Sequence, residues 1–246
     1  MQRIEIGYRK FWIERKVVRD IPTTWSELGV DQLIIAAEYY LGLLEEYEFI
    51  ATFCGISKRL AKKLTPFCLY KLAKELEFLN SYTPLNFFII DDIKSLSAPN
   101  AKLGGVSFGQ FMFADTFYND WCRSGSDADL NKFVTCIYFP KNYEFDNKYV
   151  FAFEKRTARL DKNLKYAISL NYRLVKEWLT DRYPLVFERP EGDEKPNKKR
   201  TNNSGWVKVF ENIVGDDIIH SDNYAKLPVH NVLRFLSRKI KENSRK

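Results

Sequence analysis

The amino-acid sequence predicts a mainly α-helical protein with a small β-hairpin at its N-terminus. Apolar residues recur at three- and four-residue spacing over most of the chain, and they alternate with charged residues only near its start. Hydrophobic residues make up 45% of the 246 positions and aromatic residues 15%. The chain is therefore apolar enough to bury a sizeable core and lies far from the composition of disordered proteins.

The first twenty residues predict the hairpin. Alternating apolar residues of its first strand are Ile4, Ile6 and Tyr8. Two further apolar stretches, 11–13 and 17–21, flank the charged residues 14–16. Period-two alternation interrupted by a short polar segment is typical of a hairpin, so we place the turn at 14–16 and the end at Pro22.

About eight or nine helices are expected after the hairpin. Helical spacing predicts a short turn after Thr24 and helices at about 31–44, 58–64, 66–79, 108–121, 127–139, 162–182, 206–214 and 228–240. Capping signals at three of these starts are Thr24 with Glu27, Thr65 before Pro66, and Ser107 with Gln110. Residues 85–90 are expected to be extended.

Composition divides the chain into three parts. Residues 188–205 hold two prolines, two glycines, charges of both signs and no apolar side chain. This composition predicts a flexible linker between a helical body, 1–187, and a basic C-terminal helical segment, 206–246. The segment has two apolar stripes but is too small for a core of its own. We expect it to dock on the body, on a second copy or on a partner.

The net charge is +7 and the sequence pI is near 9.1. From Arg189 to the end, 13 basic and 8 acidic residues give +5 of this excess. A basic balance favours nucleic acid or an acidic partner. Nucleic-acid binding through the C-terminal segment therefore stays open as an alternative function.

Targeting signals and long apolar runs are missing from the sequence. Charged residues interrupt the first twenty positions, so no signal peptide is expected, and the apolar runs are too short to span a bilayer. A cytoplasmic protein without membrane association is expected. In that reducing compartment the four cysteines, which are Cys54, Cys68, Cys122 and Cys136, are expected to be buried thiols.

One segment fits a catalytic motif. Residues 105–109, from Gly105 through Ser107 to Gly109, match G-x-S-x-G, but a loop-like sequence precedes them where a nucleophile elbow needs a strand. We interpret Ser107 as a helix cap and keep a serine hydrolase, with His220 or His230 as base, as a minor alternative. The two histidines lack metal-ligand spacing, and the sequence has no calcium-binding loop, P-loop or dinucleotide fingerprint. We therefore predict no enzyme activity, metal or cofactor.

Three stretches together resemble a known family. They are Ile21-Pro22-Thr23-Thr24-Trp25-Ser26-Glu27-Leu28 with Asp31-Gln32-Leu33, then residues 130–140, and Gly205-Trp206-Val207-Lys208-Val209-Phe210. They are similar to segments of tail assembly chaperone-like proteins of Bacteroides-type tailed phages and prophages, which are encoded beside the tape-measure gene. The chain departs from that pattern at Gly29, where Thr is usual, and at Phe139, where a basic residue is common.

The resemblance implies a binding role without catalytic residues. The expected partner is a phage tail protein, either the tape measure or the tube, which the chain would hold soluble in the host cytoplasm. A structural component of the virion neck or tail is the alternative, and a homo-oligomer is possible. From the apolar stripes of the C-terminal segment, the candidate protein-binding residues are Trp206, Phe210, Leu233 and Leu236.

Overall fold

The computed structural model describes residues 1–10, 13–187 and 205–244, and confirms the mainly α fold. The strands are β1 (Gln2–Lys10), β2 (Ile13–Ile21), β3 (Leu96–Ser97) and β4 (Phe139–Pro140). The helices are α1 (Val30–Tyr40), α2 (Glu46–Phe53), α3 (Lys58–Ala61), α4 (Pro66–Glu75), α5 (Phe108–Ser124), α6 (Asp127–Ile137), α7 (Asn147–Thr157), α8 (Lys162–Arg182), α9 (Gly205–Val214), α10 (Ser221–Lys226) and α11 (Val229–Asn243).

The N-terminal hairpin is present, but its turn was predicted in the wrong place. Residues 14–16 belong to β2, where Arg15 pairs with Tyr8 in an antiparallel register. One face of a two-stranded hairpin stays in water, so charged residues can lie within a strand and do not have to mark a turn. An ion pair between Lys16 and Glu5 lies across the two strands. The residues that join the strands, 11 and 12, lie outside the described part of the chain.

Three helices escaped prediction, namely α2, α7 and α10. Each is 11 residues or shorter. Helices this short are marginal in isolation and gain their stability from tertiary packing, which local spacing does not reveal. The structure places Phe49 and Ile50 of α2 and Phe153 of α7 among the buried residues.

The helix caps follow the sequence in part. Thr65 and Ser107 accept hydrogen bonds from the backbone N–H groups of Cys68 and Gln110, as predicted. The reciprocal half of each predicted capping box is absent. The Gln110 amide donates to the carbonyl of Cys136 at 2.7 Å. Glu27 accepts from the backbone N–H of Thr23 at 2.7 Å, and the side chain of Thr24 forms no cap hydrogen bond, so the box expected at Thr24 does not form.

The described chain forms two compact units. Unit 1 comprises 1–85 with 162–174, and unit 2 comprises 86–161 with 175–246. Helix α8 therefore contributes its first thirteen residues to unit 1 and the remainder to unit 2. Helices α9, α10 and α11 belong to unit 2. The predicted linker lies outside the described residues except for Gly205, which begins α9.

The core of unit 1 is built around Trp25, which is fully buried. Its indole N–H donates to the carbonyl of Ser81 at 2.7 Å. Its ring packs against Tyr40 and Tyr82, with centroids 6.2 and 6.4 Å away. The guanidinium of Arg173 lies 3.9 Å from the centroid of Tyr82, which ties the first part of α8 to this aromatic cluster.

Helices α5 and α6 form the core of unit 2. Their fully buried residues include Phe108, Phe111 and Phe133. The hydroxyl of Tyr138 donates to the carbonyl of Ile90 at 2.6 Å, and burial raises the pKa of this phenol well above its ordinary value. A buried tyrosine normally satisfies its hydroxyl in this way.

Candidate protein-binding surfaces

Trp206 lies in the first turn of α9 and packs on α5. Its ring meets the rings of Phe111 and Phe108 edge-on, with centroids 5.1 and 5.9 Å away. Its indole N–H donates to Oδ2 of Asp115 at 2.8 Å. The ring of this predicted binding residue therefore contacts the protein's own core.

The acceptor of that hydrogen bond is a buried carboxylate. Asp115 is 4% exposed, and the ammonium of Lys176 lies 2.6 Å from its Oδ1. The side-chain amide of Asn119 donates to Oδ2 at 3.0 Å. A buried charge needs an opposite charge and hydrogen-bond donors to offset its desolvation. Trp206 supplies one of these donors and so anchors α9 to unit 2.

The other three predicted residues differ in exposure. Phe210 is half-buried and lies 6.4 Å from the ring of Phe108. Leu233 is fully buried, and Leu236, one turn later on α11, is half-buried. The start of α11 is fixed to the unit, because the N–H of Val229 donates to the carbonyl of Val106 at 3.1 Å. Phe210 and Leu236 retain accessible surface.

The three residues that define the G-x-S-x-G motif each have a structural role. Gly105 has a φ of +79°, which favours glycine. The hydroxyl of Ser107 accepts from the N–H of Gln110 at 3.1 Å, which caps α5. A Cβ at Gly109 would lie 3.2 Å from the Cβ of Ala225, so glycine allows α10 to approach α5 closely.

Both histidines are engaged with groups other than Ser107. Nδ1 of His230 lies 2.8 Å from the hydroxyl of Tyr183, and Nε2 contacts the carbonyl of Lys102. Nδ1 of His220 lies 2.7 Å from the carboxylate of Asp217. Within the described ranges, no three His, Cys, Asp or Glu side chains are grouped as metal ligands would be.

The expectation of four buried cysteines is half right. Cys54 and Cys136 are buried, and burial raises the pKa of the Cys54 thiol to about 12. Cys68 is half-buried on α4, and Cys122 is exposed on α5. Both lie on helix faces that are at least partly exposed to water. The apolar residues next to them in sequence do not reveal which helix face a cysteine occupies.

The positive charge of the C-terminal segment falls mostly outside the described residues. Residues 205–244 hold six Lys or Arg and five Asp or Glu, which is 6 − 5 = +1. Residues 189–204 and 245–246 contribute the other +4. The described part of the segment therefore carries a net charge of only +1, and most of the basic excess that motivated the nucleic-acid alternative lies outside the described residues.

Unit 2 has an open cleft with aromatic walls. Two adjoining cavities of about 520 and 640 Å³ share Ser107, Tyr143, Phe145 and Lys226 in their linings. The ammonium of Lys226 lies 3.7 Å from the carboxylate of Glu144, another shared residue. The lining mixes rings with both signs of charge.

Unit 1 has a smaller and more apolar pocket. We call it the acidic groove because Glu46 lines it and Glu45 precedes Glu46 in the chain. It has a volume of about 210 Å³ and lies among α1, α2, α4 and the 3-10 helix at 77–80. Its lining residues are Tyr39, Tyr40, Glu46, Phe49, Ile50, Ala73, Leu76, Leu79 and Asn80. The rings of Tyr39 and Phe49 stack with centroids 4.2 Å apart and form one wall.

The segment between α1 and α2, next to this groove, is apolar and acidic. Leu41 and Leu43 are 45% and 56% exposed. Residues 30–57 contain five acidic residues, including Glu45 and Glu46, and no lysine or arginine. The negative charge of this segment contrasts with the net charge of +7 of the whole chain. The sequence signal for this site is the run 39–46, which holds two tyrosines and three leucines followed by two glutamates. The helical spacing of the leucines assigned them to a buried helix face instead.

In the part of the chain that the structure describes, no helix has the length and apolar character needed to cross a bilayer. Comparison of the chain with protein-family models, with curated proteins and with solved structures gives no match.

Proposed function

We propose that this protein acts by binding another protein chain, and that it serves the assembly of a phage tail in the manner of an assembly chaperone. The partner in this proposal is a tail protein, either the tape measure or the tube. The acidic groove of unit 1 is the observation that carries the proposal, because apolar and aromatic side chains are exposed to water next to a pocket of about 210 Å³.

Exposed leucines beside a pocket favour binding over a purely structural role. Leu41 and Leu43 follow directly on Tyr39 and Tyr40, and all four are at least 40% exposed. Burying one large apolar side chain is worth roughly 1.5–3 kcal/mol, so the surface gains stability when a partner covers it. Large contiguous apolar patches mark protein-binding sites, and we assign the binding surface to these four side chains because they are close in sequence and two of them line the pocket.

The tail part of the proposal rests on the resemblance of the three sequence segments. Trp25 and Trp206 of those segments hold their respective units together. At Gly29, where the pattern has Thr, the side-chain oxygen of Gln32 accepts the backbone N–H at 3.1 Å and stabilises the start of α1. These residues have structural roles in this chain, and we place the binding residues at the acidic groove instead.

Co-expression tests the proposal. The tape-measure or tube protein of the same phage should be insoluble alone and soluble with this chain. Leu43→Asp places a charge at the acidic groove and should abolish the effect, whereas Val207→Asp, at a similarly exposed position on α9, should not. The proposal would be overturned if co-expression with this chain changed the solubility of neither the tape-measure protein nor the tube protein.

Mass spectrometry of purified particles separates an assembly chaperone from a structural component. An assembly chaperone leaves the tail before completion and should be absent from finished virions. A stoichiometric amount of the chain in virions would assign it to the neck or tail instead.

A further inference from the structure

Helix α11 carries a second unpartnered surface, of the opposite charge to the acidic groove. Its first turns are fixed to unit 2 through Val229, Val232 and Leu233, all buried. Among the described residues, the hydrogen bonds, ion pairs and ring contacts of 235–244 all stay within α11. The last part of the helix is thus held only by its own residues and by partial burial.

This last part is basic and amphipathic. Leu236 and Ile240 are half-buried and one turn apart on the same face. Lys239 and Lys241, both exposed, stand on either side of Ile240. Phe235 is also exposed, and the ammonium of Lys239 lies 5.7 Å from its ring centroid.

We propose that the acidic groove of one molecule binds the end of α11 from a second copy of this chain. Aliphatic anchors one turn apart on a helix are what a helix-binding groove accepts. A cavity of about 150 Å³ holds a benzene molecule, so the 210 Å³ of the groove suits an anchor such as Ile240 or Leu236. Lys239 and Lys241 then face Glu46, which lines the groove, and Glu45, which precedes it in the chain.

Charge selects this occupant. The segment 30–57 contains no lysine or arginine, although its Glu48 pairs with Lys58 at 2.8 Å. Glu45 and Glu46 are the acidic residues that the proposal uses. The end of α11 places Arg238, Lys239 and Lys241 within four positions. Opposite charges at the edge of an interface fix its register and speed association. Because the two surfaces differ, each molecule offers one groove and one helix. Such contacts close into a reciprocal dimer or a larger ring if the rotation between neighbouring copies closes, and form open chains if it does not.

Analytical ultracentrifugation of the full chain tests the inference. The average mass should rise with protein concentration at low salt, and less so at high salt, because exposed charges are screened beyond roughly 10 Å in 0.1 M salt. A monomer at every concentration at low salt would overturn it.

Charge exchange identifies the surfaces. Glu45→Lys/Glu46→Lys and Lys239→Glu/Lys241→Glu should each weaken self-association by about tenfold or more, the effect of like charges brought together. An equimolar mixture of the two variants should associate again, since each basic groove then meets an acidic helix. A mixture that stays monomeric would contradict the pairing, as would unchanged association of either variant.

Further variants separate folding from binding. Leu43→Ser changes an exposed side chain at the groove and should weaken association while leaving thermal unfolding unchanged. Glu211→Lys and Lys208→Glu, exposed on α9, serve as charge controls and should associate like the parent chain. Both proposals use the acidic groove, so a tail partner and a second copy would compete for it. Solubilisation of a tape measure and self-association of the chain alone are separate readouts, and either can fail without the other.

Discussion

The hydroxyl oxygens of Thr135 and Thr157 lie 2.7 Å apart in the buried contact between α6 and α7. Both residues are 0% exposed. Each hydroxyl also lies within hydrogen-bond distance of the carbonyl of Asn131, at 2.7 Å from Thr135 and 3.1 Å from Thr157. A helix that the sequence did not predict is therefore joined to its neighbour by a satisfied polar pair.

Thr157→Val should lower the free energy of unfolding by about 1 kcal/mol, because it removes one partner of a buried hydrogen bond. The double variant Thr135→Val/Thr157→Val should cost less than the sum of the single changes, since two apolar groups of the same shape leave no partner unsatisfied. Urea unfolding measures all three. Thr180→Val, whose hydroxyl bonds only within α8, is the control, and additive single effects would contradict the coupling.

Trp206→Phe should destabilise unit 2. The phenyl ring keeps the contact with Phe111 but donates no hydrogen bond to the buried carboxylate of Asp115. A hydrogen bond to a charged group is worth about 1.5–3 kcal/mol, and chemical denaturation should show a loss of this size. Val207→Ala, at the exposed neighbouring position, should change stability by less than about 0.5 kcal/mol. Equal stability of both variants would show that the indole bond contributes nothing.

Ser107→Ala should lower stability by about 1 kcal/mol through the loss of the α5 cap. Ser107→Asp keeps an acceptor at the start of the helix and should restore most of it. Thermal unfolding compares the variants. A serine-reactive phosphonate tests the competing hydrolase interpretation. Labelling that disappears in Ser107→Ala would revive that interpretation.

Thiol reagents should distinguish two classes of cysteine in the folded protein. Cys122 should react first and Cys68 more slowly, while Cys54 and Cys136 should react only after denaturation. Mass spectrometry of the labelled peptides measures this order. Rapid labelling of Cys54 in the folded state would contradict its burial.

Burial of Cys54 also gives a pH dependence. Its pKa is raised from 9.0 to about 12, so above pH 9 the unfolded chain loses this proton first and becomes favoured. The stabilising contribution is complete below pH 9 and is lost as the pH rises toward 12. Unfolding free energies should therefore decline less steeply above pH 9 in Cys54→Ala than in the parent chain, and parallel profiles would count against the shift.

Local sequence patterns accounted for the elements that carry their own signals. The long stripe of α8 and the caps at Thr65 and Ser107 are local features, and the structure has them. Helix α2 depends on Phe49 and Ile50 reaching buried positions, which is a property of the packed fold.

The candidate site was less accessible to sequence reasoning. The acidic groove combines α1, α2 and α4, and no single segment shows that Tyr39 and Leu76 line one pocket. The two stripes that contain Trp206 and Leu233 were visible, but such a pattern is the same for a residue that contacts its own core and for one that binds a partner. Burial and the hydrogen bond to Asp115 separate these cases.

The shared membership of α8 has a consequence for synthesis on the ribosome. Unit 1 needs residues 162–174, and the N–H of Leu85 donates to the carbonyl of Leu174 at 3.1 Å. A nascent chain that has reached Leu85 must grow by 89 residues, from 85 to 174, before this partner exists. At about 5–20 residues per second, the wait is about 4–18 seconds. During translation the first 85 residues therefore spend this interval with incomplete packing, and a holding factor that shields apolar surface would raise the yield of folded protein.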